Sequence, residues 1–250
     1  KLGGKAYMVG CVGEAFGEEL KQTLKGYGVD VEYVEKLTGV SSGIAVIVVV
    51  DGDNRIILDA GANGQVREEL IDRALESATA GDYLICQLEI SQEIVRYALA
   101  KAKAKGLVTV LNPAPAAKLL PGILENCDYF IPNQSEAEFY TGIFPKDEES
   151  AQRCAQALAA KGVGNVVVTM GSEGSAYVGK DGYFKADCFK AEAVDTTAAG
   201  DTYVGAFVTG LSEGMSVREA MTFASKASAI TVTRRGAQQS IPVRAEVDAK

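Results

Sequence analysis

From Gln65 onward, short apolar runs with the character of strands alternate with longer segments of helical periodicity. Residues 83–88, 107–111 and 165–170 are typical of buried strands, whereas residues 92–105 place apolar side chains at helical spacing. Such alternation of strand and helix builds a mainly parallel sheet that is covered by helices on both faces. The sequence therefore predicts an α/β fold of three layers, αβα, around a mainly parallel central sheet.

The part of the chain before Gln65 follows a different pattern. Residues 43–50 are rich in β-branched side chains, and the sequence Asp-Gly-Asp-Asn at 51–54 favours a hairpin turn. Consecutive strands with one polar face indicate a small antiparallel sheet. We therefore predict an α/β domain of residues 1–29 and 62–250, with a β lid formed by residues 30–61.

A turn of small residues joins a predicted strand at residues 190–194 to a helix predicted to begin at Thr202. The first turn of a helix presents unpaired N–H groups and about half a positive charge, which suits an anion such as phosphate. Asp201, beside this helix start, is either a helix cap or a base directed at the bound anion. The small residues of the turn are Ala198, Ala199 and Gly200.

The composition restricts the chemistry that this site can use. The chain of 250 residues contains no His, which excludes Ser-His-Asp catalysis and zinc sites that depend on histidine. A general base must therefore be a carboxylate or, less favourably, a Lys, Tyr or Cys. The formal net charge of −8 argues against a general nucleic-acid binder, which needs a basic surface.

The cysteines and the apolar runs bear on location. The five Cys are scattered and form no CxxC pair, which favours free thiols in a reducing compartment. No apolar run reaches the length of a membrane span. We therefore expect a cytoplasmic protein without a membrane partner. Because the chain starts with Lys1 almost directly in a strand-like run, we also expect it to begin inside a domain.

Four motifs, in their order and spacing, resemble the ribokinase-like (phosphofructokinase-B type) family of sugar kinases. They are PNQSEAE at 132–138, TMGSEG at 169–174, DTTAAGD at 195–201 and TRRGAQQSIP at 233–242, and LNPAPA at 111–116 and QLE at 87–89 add to them. The resemblance covers essentially the whole chain. It implies transfer of the γ-phosphate of ATP to the 5-hydroxyl of D-ribose, which gives ribose 5-phosphate.

Two other functions stay open at this stage. The first keeps the chemistry and changes the sugar to deoxyribose, fructose, a keto-deoxy sugar acid or a nucleoside. The second is a nucleotide-binding fragment without catalysis. A dinucleotide-binding domain is disfavoured, because Gly10-Cys11-Val12-Gly13 is a poor match to the G-x-G-x-x-G pattern.

The resemblance assigns roles to the residues of the turn. Asp201 would be the general base that takes the proton of the sugar hydroxyl, and the N–H groups of Ala198, Ala199 and Gly200 would form an anion hole. Phosphoryl transfer depends mainly on positioning and charge neutralisation, so the lack of His is no obstacle. Glu89 and Asp201 would contact the sugar.

The resemblance also implies a magnesium ion and a nucleotide site. Asn133 and Glu136 match the N-x-x-E motif of the family, which organises Mg²⁺ near the phosphates with oxygen ligands. The alternative for this pair is an Asn cap with a Glu in the first helical turn, whereas Glu138 is expected on the helix surface. The implied ATP-binding residues are Asn133, Thr169, Gly171, Ser172, Glu173, Gly174, Gly200 and Ser225.

A monovalent cation, usually K⁺, lies beside the anion hole in this family. Its implied ligands are Asp195, Thr197, Thr231, Arg234, Gly236 and Ser240, mostly through backbone carbonyls. The alternative is that Asp195 pairs with Arg234 or Arg235 without a cation.

Family members open with a strand, part of the lid and a Gly-rich sugar-binding motif, none of which precedes Lys1. Either the sequence is part of a longer protein, or the chain as given has an incomplete lid and half a sugar site and is not a competent sugar kinase. One face of a small sheet does not hide the apolar side chains of the lid strands. In the family such lids pair between two subunits, so the sequence predicts a homodimer.

Overall fold

The computed structural model describes residues 1–50 and 53–250. The chain divides into two compact units, a larger one (Lys1–Gly4, Thr79–Leu88 and Leu99–Lys250) and a smaller one (Lys5–Ala78 and Glu89–Ala98). In chain order the elements are β1 (Gly10–Val12), α1 (Gly17–Gly26), β2 (Val34–Lys36), β3 (Ile44–Val50), β4 (Asp53–Asp59), α2 (Glu68–Glu76), β5 (Tyr83–Cys86), α3 (Gln92–Ala104), β6 (Val108–Leu111), β7 (Tyr129–Phe130), α4 (Gln134–Thr141), α5 (Glu148–Ala159), β8 (Asn165–Thr169), β9 (Ser175–Gly179), β10 (Gly182–Ala186), α6 (Ala199–Ser212), α7 (Val217–Thr231) and α8 (Arg244–Asp248).

The larger unit is built on a six-stranded sheet with the order β10-β9-β8-β7-β6-β5. Strands β5 to β8 pair in parallel, with Val110 beside Tyr129 and Tyr129 beside Asn165. Strands β9 and β10 add an antiparallel hairpin at one edge. The predicted mainly parallel sheet is therefore confirmed.

Strand β8 shows why the sheet needs helices on both faces. Val166, Val167 and Val168 are all fully buried although successive side chains of a strand point to opposite faces. Val167 belongs to the core that includes Phe207 of α6 and Ala220 of α7, while α5 packs on β8 and β9. The predicted three-layer arrangement follows from this burial.

The smaller unit contains two separate pairs of strands. Strands β1 and β2 are parallel, whereas β3 and β4 form an antiparallel pair in which Val46 lies beside Ile57. The small antiparallel sheet agrees with the sequence, although residues 51 and 52 of its predicted turn lie outside the described residues. The division into an α/β domain and a lid of residues 30–61 stays a prediction.

Two local predictions are wrong. Residues 190–194 form no strand, because the N–H of Val194 donates to the carbonyl of Val232 after α7 rather than to a neighbouring strand. Helix α6 begins at Ala199 instead of Thr202, so Gly200 and Asp201 belong to its first turn. Among the described residues, none of the helices has the length and apolar character that a membrane crossing requires.

Candidate active site

A cavity of about 150 Å³ lies in the larger unit, where β6, β7 and β8 end and α6 begins. Ligands of parallel α/β sheets bind outside the carboxyl ends of the strands, which is the position of this cavity. It is lined by Asn112, Ala114, Ile131, Asn133, Glu136, Thr169, Thr196, Ala198, Ala199, Gly200, Asp201 and Val204.

The first turn of α6 presents free donors to this cavity. The first intrahelical bond is the one from the N–H of Thr202 to the carbonyl of Ala198, at 2.9 Å. The N–H groups of Gly200 and Asp201 have no acceptor among the described residues. Ala198 holds a left-handed conformation, with φ at +60°, which costs a non-glycine residue ~1 kcal/mol or more. Such strain is typical of functional sites, and free N–H groups at a helix start suit an anion.

Asp201 does not cap the helix. The residue before α6 is Ala198, which has no side-chain cap, and the Asp201 carboxylate has no hydrogen-bond partner among the described residues. The side chain keeps an exposed face but lines the concave wall of the cavity. Burial in this cleft raises the pKa of the Asp201 carboxyl. A carboxylate of raised pKa beside free N–H donors has the properties of a general base next to an anion.

Glu136 reaches the same cavity from α4 and is buried. One carboxylate oxygen accepts from the N–H of Asn133 at 2.8 Å, and the side-chain oxygen of Asn133 accepts from the N–H of Glu136 at 2.9 Å. The N-x-x-E motif therefore forms the capping box that the sequence left open as an alternative. Burial raises the pKa of Glu136, the Asn133 N–H opposes this shift, and the nearby charge of Asp201 adds to it.

The residues predicted to bind the nucleotide lie in two places. Thr169 lines the cavity, whereas Gly171, Ser172 and Glu173 form a short exposed 3₁₀ turn after it. This turn closes at Gly174, where φ is +85° and an added Cβ would lie 2.1 Å from the carbonyl oxygen of Ala186. The close approach requires glycine, so the loop geometry is fixed by the fold.

Ser225 and Glu89 are not among the lining residues. The buried Ser225 hydroxyl donates to the carbonyl of Asp187 at 3.1 Å and accepts from the N–H of Phe189 at 3.3 Å. It thus holds the segment after β10. Glu89 is exposed and belongs to the smaller unit.

The residues predicted around the monovalent cation are joined by hydrogen bonds. The two carboxylate oxygens of Asp195 accept from the N–H groups of Thr197 and Gly236, both at 2.9 Å. The carbonyl of Thr231 accepts from the N–H of Arg234, and Ser240 is fully buried. The guanidinium of Arg234 pairs with Glu246 and not with Asp195. The alternative in which Arg234 neutralises Asp195 in place of a cation is therefore excluded.

The side chain of Thr197, followed by the N–H groups of Gly236 and Thr197, holds the pKa of Asp195 at about 2. A carboxyl whose pKa is lower in the folded state stabilises the fold above its unfolded pKa of ~3.9 and loses that effect as the pH falls through about 2. We expect Asp195→Asn to lower the melting temperature at pH 6 and to have a much smaller effect near pH 2. Thermal unfolding of both proteins across this range is the measurement. An equal difference at every pH would contradict the assignment.

Five of the lining residues were not predicted as site residues, namely Asn112, Ala114, Ile131, Thr196 and Val204. Asn112 directly follows β6, and its side-chain amide donates to the carbonyl of Ile131 at 2.9 Å. The sequence indicated that Asn112 leaves the carboxyl end of a strand, but assigned it no role at the site.

Free N–H groups at a helix start beside two carboxylates suit the binding of a phosphate-like anion, as in enzymes that act on phosphates. A family model for "pfkB family carbohydrate kinase" matches residues 1–244. The chain belongs to this family and is a carbohydrate kinase.

Similar proteins support this assignment. The chain is 40% identical over 250 residues to a ribokinase of Schizosaccharomyces pombe. The match covers 98% of this chain and 79% of that relative. It is 35% identical over 245 residues to a deoxyribokinase of Salmonella typhi, at 97% and 80% coverage. The structure of an Arabidopsis thaliana ribokinase complexed with ribose and ATP superposes with a TM-score of 0.89, at 28% identity, covering 98% of this chain and 81% of that one.

Proposed function

We propose that this chain transfers the γ-phosphate of ATP to the 5-hydroxyl of D-ribose, with Asp201 as the general base. One observation carries the proposal: the unpartnered carboxylate of Asp201 and the free N–H groups of Gly200 and Asp201 meet at one cavity. The N–H groups would neutralise the charge of the phosphoryl group, while the carboxylate accepts the proton of the attacking hydroxyl.

The donor chemistry of the cavity fits a magnesium ion bound with ATP. Glu136 and Asp201 are two carboxylates in one cavity, and Asn133 adds an amide. No cluster of three or more acidic, Cys or His side chains suited to a metal exists among residues 1–50 and 53–250. Mg²⁺ usually keeps several waters and takes only one or two carboxylates together with phosphate oxygens. We propose Glu136 as the residue that holds this hydrated ion, which neutralises phosphate charge.

The remaining predicted contacts are proposals of the same kind. Thr169 and the loop Gly171–Glu173, with Gly174 and Ser225, would lie along the nucleotide. K⁺ or another monovalent cation would lie near Asp195, with Thr197, Thr231, Arg234, Gly236 and Ser240 around it. The support is the pair of hydrogen bonds by which Asp195 joins the backbone of Thr197 and of Gly236.

The similarity to a deoxyribokinase favours 2-deoxyribose as a second candidate substrate. We expect kcat/KM for D-ribose to exceed that for 2-deoxyribose by ~tenfold or more, because a site that binds a hydroxyl loses ~1.4 kcal/mol or more when the hydroxyl is absent. Glu89 is the proposed contact for the sugar hydroxyls. The measurement is ADP formation with each sugar in the presence of Mg²⁺ and K⁺. A higher kcat/KM for 2-deoxyribose would make 2-deoxyribose the preferred substrate instead of D-ribose. ATP binding without turnover of any sugar would favour the non-catalytic fragment.

We also propose a homodimer formed through the β lid. Ile44, Val46 and Ile57 are exposed on the β3–β4 pair, with 63% of Ile57 accessible. A cluster of exposed apolar side chains on a two-stranded sheet favours a partner, and a second copy of the chain supplies one. Light scattering that gave only the mass of one chain would contradict the dimer.

The free thiols of the cysteines support the proposed cytoplasmic location.

A further inference from the structure

Helix α7 holds the first turn of α6 through two hydroxyl groups. The hydroxyl of Ser228 donates to the carbonyl of Ala199 at 2.9 Å. One turn further along, the hydroxyls of Thr231 and Thr202 lie 3.1 Å apart, and both residues are buried. Hydrogen bonds from α7 therefore hold the first turn of α6, whose N–H groups face the cavity.

The bond from Ser228 acts on a specific donor. The carbonyl of Ala199 and the N–H of Gly200 belong to one planar trans peptide group and point in opposite directions. Fixing the carbonyl therefore fixes the direction of the N–H, which lines the cavity. A carbonyl that accepts a hydrogen bond also polarises its peptide group and strengthens the N–H as a donor, by ~10–30% per bond.

The same helix also holds the segment that enters the turn. The carbonyl of Val232, directly after α7, accepts from the N–H groups of Val194 at 2.7 Å and Asp195 at 3.1 Å. These are backbone contacts, so truncating a side chain does not remove them. Ser228 is different, because its contact with Ala199 is made by a side chain that a substitution can delete.

We propose that Ser228 is a positioning residue for phosphoryl transfer, which orients and polarises the N–H of Gly200 toward the terminal phosphoryl group. This inference rests on the proposed function. Ser228 touches no reacting atom and acts only through the peptide group between Ala199 and Gly200.

The test is the Ser228→Ala variant, with affinities for ATP and ADP measured by calorimetry and with steady-state kinetics. We expect losses in ATP affinity and kcat that together lower kcat/KM for ATP about fivefold, because one hydrogen bond is worth ~1 kcal/mol. ADP affinity and the KM for the sugar stay unchanged, since neither ligand places a group at this N–H. A loss confined to ATP and kcat separates positioning from a general loss of packing.

Thr222→Ala is the matched control. Thr222 lies on the same helix, is half-buried like Ser228, and donates its hydroxyl to the carbonyl of Arg218 within α7. We expect it to change neither affinity nor kcat, and we expect Ser228→Thr to restore both. Equal behaviour of Ser228→Ala and Thr222→Ala would overturn the inference.

The same measurements separate this inference from the proposed function. If wild-type protein binds ATP no more tightly than ADP and Asp201→Asn keeps full turnover, the anion site itself is wrong and both proposals fall. If Asp201→Asn is inactive while Ser228→Ala matches wild type, only the role of Ser228 is refuted.

Discussion

Replacing Asp201 by Asn is expected to lower kcat by ~10³-fold while ATP affinity stays within about twofold of wild type, since general bases contribute ~10²–10⁴-fold. Asn has nearly the shape of Asp but cannot accept the proton of the sugar hydroxyl. The N–H groups of α6 remain in place, because the Asp201 side chain makes no hydrogen bond with the described residues that shape the turn. Steady-state kinetics and calorimetric titration with ATP measure the two quantities.

The pH profile gives a second readout for Asp201. Its pKa is raised by burial in the cleft, and the base is active only when deprotonated. The value of kcat/KM therefore falls as the pH drops through this raised pKa, and the acid limb is missing from the residual activity of Asp201→Asn. An unchanged acid limb in the variant would assign that limb to another group.

The melting temperature of Asp201→Asn distinguishes a loss of catalysis from a loss of folding. A carboxyl with a raised pKa binds protons more tightly in the folded state, so stability decreases as the pH rises through the range between its unfolded and folded pKa values. Removing the charge is expected to leave the melting temperature at pH 7 unchanged or higher. Asp181→Asn, in the exposed turn between β9 and β10, serves as the control and is expected to keep full activity. Full turnover in Asp201→Asn would refute the base.

The sequence predicted the sheet because central strands such as β8 are buried on both faces, whereas the edge strand β5, also predicted as buried, is partly exposed at Ile85. Runs such as Val166–Val168 can be satisfied only between two layers of helices, so composition and period decide the architecture. Glu136 lies on α4, which follows the parallel strand β7, so its place at the carboxyl edge of the sheet follows from the same logic. Asp201 reaches the same cavity from α6 although the strand predicted before it is absent.

The wrong predictions come from places where backbone partners are not encoded locally. Residues 190–194 have the side chains of a strand, but Val194 donates to Val232 at the end of α7, a contact that no sequence period reveals. Helix α6 begins three residues earlier than predicted, because Ala198 ends the preceding turn in a left-handed conformation that an Ala rarely takes. The contact of Ser228 with Ala199 likewise depends on how two helices pack, so it became visible only in the structure.

The second large effect is expected at Glu136, where two roles must be separated. Glu136→Gln is expected to raise the Mg²⁺ concentration for half-maximal activity by ~tenfold, which corresponds to ~1.4 kcal/mol of binding free energy. Gln at this position still accepts from the N–H of Asn133 and so keeps the capping box, but it removes the charge that holds the hydrated ion. Activity titrated with Mg²⁺ at saturating ATP and sugar measures the shift.

The chain offers a matched control in a second capping box. In α7 the carboxylate of Glu219 accepts from the N–H of Ser216 at 2.8 Å, far along the helix from Ser228 and with exposed side chains. Glu219→Gln alters the same type of cap and is expected to lower the melting temperature slightly, because hydrogen bonds from Ser216 lower the pKa of Glu219 in the folded state. Glu136→Gln removes a carboxyl whose pKa is raised by burial, so the melting temperature at pH 7 is expected to stay unchanged or to rise. Glu219→Gln leaves the Mg²⁺ requirement unchanged, since Glu219 lines no part of the cavity. If neither variant shifts the Mg²⁺ requirement, Glu136 is a cap alone, and the ion is held by the phosphates and by Asp201.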